Sequence, residues 1–174
     1  MEAFLLSGAT DVSQENDLNF ANFLERLQVE LERSKRYNRS FSICLFSLGG
    51  GDAQLMAVDV KPFVKELSKL ICDVARIPDI VVSCASDQLA LIMPETPLPG
   101  AFTAADRIRQ KISTHSFALD GKESKLAVSM GIAAFPDHAN NGQELAEAAK
   151  QAMLKAATRE ANSIVSASEL NEPD

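Results

Sequence analysis

From Leu18 onward the apolar residues fall into a helical rhythm. Phe20, Phe23, Leu24, Leu27 and Leu31 form one stripe, with Glu25, Arg26, Glu30, Glu32 and Arg33 on the polar side. The spacing predicts a helix ending near Tyr37-Asn38, and residues 1–17, polar and irregular, read as a mobile lead-in. Phe41–Leu48 is a continuous apolar run of strand length, closed by a Gly49-Gly50-Gly51 turn. Phe63, Leu67, Leu70, Ile71 and Val74 mark a second amphipathic helix, which stops near Arg76 because Pro78 disfavours helix in the residue before it. Ile80–Val82 and Leu89–Met93 are two strands about a tight turn at Ala85-Ser86-Asp87, the second ending at Pro94.

Thr96 reads as an N-cap with Pro97 at the first helical position. Leu98, Ala101, Phe102, Ala105, Ile108 and Ile112 then supply the apolar face of a third helix. Residues 118–124 read as a loop, and Leu126–Phe135 as a strand stopped by Pro136. Asn141 with Glu144 resembles a capping box opening a last helix, whose buried stripe is Leu145, Ala148, Ala149, Ala152, Met153 and Ala156. Ser163–Val165 is a short final strand and the tail from Ser166 is expected to be frayed and disordered. The order β-α-β-β-α-β predicts one α+β domain over residues 18–165, ferredoxin-like, with an antiparallel central sheet and helices packed on it.

Composition narrows the function classes. The 174 residues are 46% apolar and 24% charged, a composition suited to one soluble domain with a substantial core. A net charge of −7 argues against bulk binding to nucleic acid or anionic membrane, while leaving room for a local basic site for a small anion. Cys44, Cys72 and Cys84 lie in apolar segments without metal-ligand spacing, so buried reduced thiols in a cytoplasmic protein are expected, with no metal. His115 and His138 fall at element ends and read as surface residues. Met1–Leu6 lacks the basic and long apolar regions of a signal peptide, and no run approaches membrane-spanning length.

The chemistry-bearing stretch is Arg76–Thr96. Here Arg76-Ile77-Pro78-Asp79 is followed by five spacers, Ile80–Cys84, and then by Ala85-Ser86-Asp87-Gln88-Leu89. Together with Glu32–Arg39, Val128–Ala133 and Ala149–Ala156, in this order and spacing, the stretch resembles the GGDEF domains of diguanylate cyclases. The likeness covers roughly residues 18–165. It implies the nucleotidyl-cyclase palm form of the fold, in which carboxylates hold divalent metals that bridge a triphosphate.

The sequence departs from that pattern at the positions that carry catalysis. Ala85 and Ser86 replace the signature glycines, and Gln88 replaces an anionic glutamate. Ser47 stands where the family has its metal aspartate, with Gly49 two positions later. The guanine-binding loop is missing or shortened around residues 50–56, and Ala157 and Ala161 replace phosphate-binding Lys and Arg. Asp87 remains as an isolated carboxylate, so the resemblance implies an inactive cyclase with no metal and no cofactor.

What the resemblance retains is the inhibitory-site pattern, Arg76 and Asp79 with Arg107 on the next helix, which in relatives binds cyclic di-GMP. Arginine can grip phosphate bidentately or lie on a guanine face, and aspartate can accept from a guanine N–H. The expectation is therefore a cyclic di-GMP receptor in bacterial second-messenger signalling, relaying to a protein partner. A two-fold symmetric ligand could link two copies. Beside it stand two plainer readings. Arg76 suits a helix C-terminus and Asp79 its ion partner, which leaves a nucleotide-independent interaction or dimerisation module. A residual enzyme using Asp87 is the third. Whether Arg107 faces Arg76 and Asp79 separates the first two.

Overall fold

The computed structural model of the chain describes residues 7–49, 59–119 and 121–172. The elements in order are α1 (Ser7–Tyr37), β1 (Phe41–Leu48), α2 (Lys61–Val74), β2 (Ile80–Ala85), β3 (Gln88–Met93), α3 (Leu98–Thr114), β4 (Phe117–Leu119), β5 (Lys122–Ser124), β6 (Val128–Phe135), α4 (Gly142–Ala157), β7 (Ile164–Ser166) and a 3-10 helix (Ala167–Asn171). Five strands make one sheet in the order β2-β3-β1-β6-β7, and β4 and β5 form a separate hairpin. Every pairing in the main sheet is antiparallel except β6 with β7. The α+β architecture with a central, mostly antiparallel sheet is thus the one expected.

Helices cover both faces, and strand alternation sorts the core between them. Ile43 and Leu45 of β1, Val82 of β2 and Ala133 of β6 meet Phe23, Leu27 and Leu31 of α1 and Leu145, Ala149 and Met153 of α4. Cys44, Phe46 and Leu48 of the same strand face Phe63, Leu67 and Ile71 of α2 and Ala101, Ala105, Ile108 and Ile112 of α3. With both faces covered, all eight residues of β6 are buried, which explains why its sequence is apolar or small throughout, with no polar alternation.

Several expectations need correction. The first helix begins at Ser7, so it takes in residues 7–17 that read as irregular. Within the stretch read as a loop, residues 118–119 and 122–124 are strand and pair in the β4–β5 hairpin. Residues 166–171 are regular structure rather than a frayed tail: β7 runs to Ser166, and Ser166 with Glu169 forms a capping box for the 3-10 helix. Thr96 does not cap α3, whose N-cap is Pro97. Cys44 and Cys84 are buried as expected, but Cys72 is exposed. Phe20 and Phe102, placed on buried stripes, stand exposed.

The histidines are not simple surface residues either. His115 Nε2 lies 2.6 Å from Glu66 Oε1, and its ring meets Phe117 edge-on. His138 Nδ1 accepts from the Ala134 N–H at 2.9 Å. The Gly50-Gly51 part of the glycine turn and the shortened loop at 50–56 lie outside the described residues.

Candidate functional site

Arg76 and Asp79 sit in the tight connection between α2 and β2. The Asp79 N–H donates to the Arg76 carbonyl at 3.0 Å, closing a turn. Asp79 Oδ2 returns the contact by accepting the Arg76 N–H at 2.8 Å, and it lies 3.7 Å from the Arg76 Nε. Pro78 helps here: it removes one donor and fixes φ inside the turn. The Asp79 side chain is only 4% exposed and its Oδ1 is buried without a hydrogen-bond partner. The Arg76 side chain is 61% exposed, and its Nη2 donates to Thr96 Oγ1 at 2.5 Å.

Thr96 is the residue that the sequence signal misassigned. It is buried in the connection between β3 and α3, donates its hydroxyl to the Pro94 carbonyl at 2.9 Å, and accepts from Ser42 Oγ at its own carbonyl at 2.7 Å. Its role is to tie the Arg76 guanidinium to β1 and to the connection after β3. No local pattern announces a threonine whose partner lies 20 residues away.

Arg107 lies on α3 and lines a groove of about 460 Å³ with Asp73, Val74, Gln110, Lys111 and Thr114. Among the described residues no hydrogen bond or ion pair joins it to Arg76 or Asp79. The structure therefore brings two of the three expected ligand residues together and leaves the third in a neighbouring groove beside the last turn of α2.

The signature residues occupy the β2–β3 hairpin. β2 carries a register shift between Ser83 and Ala85, just before the hairpin tip. The Leu48 N–H donates to the Asp87 carbonyl at 3.1 Å, so the tip is docked on the end of β1. Ser47 pairs with Gln88 across β1 and β3, placing two neutral side chains on one face. Gln88 and Ala85 line a groove of about 380 Å³ on the α1 and α4 side, together with Cys84, Glu147 and Lys150. Burial pushes the Cys84 thiol up to about 12, with the Asp87 charge adding to the same direction, so this cysteine is no nucleophile at neutral pH. Among the described residues no group of three or more potential metal ligands comes together.

The family described as diguanylate cyclase, GGDEF domain, matches residues 61–163. The chain belongs to the GGDEF family. Diguanylate cyclase A of Treponema denticola is 23% identical over 92 residues, which are 53% of this chain and 25% of that protein. The chain thus spans about a quarter of the length of that relative. The GGDEF domain of YfiN from Pseudomonas aeruginosa superposes with a TM-score of 0.75 at 21% identity, covering 84% of this chain and 93% of that one. The GGDEF domain of DgcB from Caulobacter crescentus, solved in complex with c-di-GMP, gives 0.73 at 16% identity, covering 86% and 91%. At such identities the structural likeness speaks for the GGDEF fold. Among the described residues no helix is long and apolar enough to cross a membrane.

Sequence reading missed a second polar feature of this GGDEF domain. Lys61, Lys65 and Lys69 recur every four residues on α2 and line a further groove between α2 and β2. The spacing was legible, but tracking apolar positions along α2 passes over it.

Proposed function

We propose that this GGDEF domain is a catalytically inactive receptor for cyclic di-GMP, binding through Arg76, Asp79 and Arg107 and relaying the signal to a protein partner. The observation that carries the reading is the Arg76–Asp79 turn. An exposed guanidinium is anchored at one nitrogen, beside a carboxylate that keeps one oxygen without a donor. A free guanidinium edge suits a phosphate, and an unpartnered carboxylate oxygen suits a guanine N–H. Reaching that oxygen requires the turn to open, because the Asp79 side chain is 4% exposed in the unliganded arrangement. Arg107, one groove away on α3, would supply the second cationic contact for a ligand that spans both features.

Loss of catalysis rests on Ser47 and Gln88. They stand opposite each other where metal-assisted phosphoryl chemistry needs anionic oxygens, and the remaining Asp87 offers one carboxylate. Incubating the domain with GTP and Mg²⁺ or Mn²⁺ is expected to give no cyclic di-GMP, and any product would overturn this part.

The second reading, a nucleotide-independent interaction module, is favoured by the self-contained hydrogen bonding of Asp79 Oδ2 and by the separate placement of Arg107. Calorimetric titration of cyclic di-GMP into the wild type and Arg76→Ala distinguishes the two. The receptor predicts saturable binding, weakened about 10- to 100-fold by the substitution, the loss expected for a charge-assisted hydrogen bond. Arg107→Ala then tests whether the α3 groove belongs to the same site. No heat and no ligand-induced rise in melting temperature would leave the interaction module as the account.

A further inference from the structure

We propose that the groove between α1 and α4 binds a free amino acid with a large apolar side chain, an aromatic one above all. The inference is independent of the cyclic di-GMP reading, because none of Arg76, Asp79 and Arg107 lines this groove.

The floor and one wall are apolar. Leu45 of β1 and Cys84 of β2 lie on the sheet side, and Phe20, Phe23 and Leu24 of α1 stand along the wall. The rings of Phe20 and Phe23 are 6.2 Å apart and tilted by 47°, and Phe20 is 48% exposed, a large ring left half in water. A ligand ring set beside them would extend the pair in the offset or edge-to-face geometry that aromatic clusters favour, and would cover Phe20. Room for it comes from two small residues, Ala85 at the end of β2 and Ala146 on α4.

The opposite wall is a single stripe of α4. Gln143, Ala146, Glu147 and Lys150 follow at helical spacing and share one face, and Gln88 of β3 adds a second amide. Among the described residues Lys150 has no ion pair or hydrogen bond, and Glu147 commits only Oε1, which accepts from the Gln151 amide at 2.6 Å. The polar side of the groove thus offers an ammonium, a carboxylate oxygen and two amides over an apolar floor. An α-amino acid is the complement of that set: its carboxylate suits Lys150, its ammonium suits Glu147, and its side chain suits the floor. Both polar contacts are charge-assisted.

Other occupants fit less well. A single lysine offset by an acid does not answer a polyphosphate, and a ligand without charge leaves both ionised groups unused. The groove holds about 380 Å³, within the roughly 300–1,000 Å³ of small-molecule sites, whereas a stable protein interface takes about 800 Å² from each partner.

The chain contains no tryptophan, so L-tryptophan serves as a probe whose own fluorescence reports binding. The full chain is titrated into dilute L-tryptophan and the indole anisotropy is followed. Expected is a saturable rise with Kd below about 1 mM. Tryptamine, which lacks the carboxylate, and indole-3-propionate, which lacks the ammonium, are each expected to bind about tenfold more weakly. Lys150→Gln should erase the advantage over tryptamine, and Glu147→Gln the advantage over indole-3-propionate. Phe20→Ala should weaken all three ligands; these three positions are exposed, so the variants keep the fold. Absence of a rise in the wild type overturns the proposal. Equal binding of all three ligands also overturns it, reducing the contact to indole burial. Displacement of tryptophan by cyclic di-GMP would give the groove to the nucleotide, and a dimer dissociated by Phe20→Ala with no tryptophan bound would give it to a second copy.

Discussion

Thr96 and His138 are two short connections between the interior and the surface. Thr96 receives Ser42 from β1 on its carbonyl and Arg76 on its hydroxyl, so a buried strand and an exposed cation share one residue. His138 does the same beyond β6: Nδ1 accepts from Ala134 N–H, and Nε2 lies 2.7 Å from Ser168 Oγ. An accepting Nδ1 requires the unprotonated ring, and burial accordingly holds its pKa below the ordinary 6.5, against a smaller opposite pull from Asp137. Because the folded value lies below the unfolded one, the unfolded chain takes up this proton first as pH falls. Stability contributed by His138 is therefore complete above about 6.5 and lost progressively below it. Urea midpoints measured from pH 7.5 to 5.0 are expected to fall more steeply in the wild type than in His138→Gln. Parallel curves would remove His138 from the pH dependence. At this scale the sequence exposed spacing but not partnership. Arg76 and Asp79 were found because only two residues separate them in the chain, while Thr96 looked like a helix cap because its true contacts are remote.

Among the elements, α4 and β6 make the closest seam. A Cβ added at Gly131 would lie 2.1 Å from the Ala149 carbonyl oxygen and 2.3 Å from the Met153 nitrogen, both backbone atoms of α4. The helix cannot yield by a rotamer change, so Gly131→Ala is expected to cost about 3 kcal/mol or more, beyond ordinary overpacking. Chemical denaturation checks it, and a loss under about 1 kcal/mol would mean that α4 can shift freely on the sheet. The buried stripes of α2, α3 and α4 were legible because tertiary burial and helical period agree there. The β4–β5 hairpin was not, since Lys122–Ser124 carries charged residues and no apolar alternation. The 3-10 helix escaped notice for a related reason: only Ala167 of its five residues is buried, too little for a periodic signal.

For the molecule as a whole, thiol reactivity reports the integrity of the two-sided core. Cys44 and Cys84 are buried on opposite faces of the sheet, with burial raising both pKa values, while Cys72 stands in solvent on α2. One thiol is expected to react rapidly with a disulfide reagent in the native state and three after denaturation. A second fast thiol would mean that one face opens without global unfolding. The GGDEF fold was legible at this scale because element order and motif spacing constrain each other over most of the chain. The lysine groove was not, since it forms only when α2 and the β2–β3 hairpin come together.

The attachment of α1 has a further physical consequence. Its apolar stripe of Phe23, Leu27 and Leu31 lies in the core, while near its C-terminal end Arg33 and Arg39 reach Glu95 at 3.4 and 3.7 Å through half-exposed side chains. These two fastenings answer to different variables. Salt slackens the ionic one within a Debye length and leaves the apolar one in place, whereas cooling weakens apolar burial first. Warm brine and cold dilute buffer would therefore loosen the same helix from opposite ends.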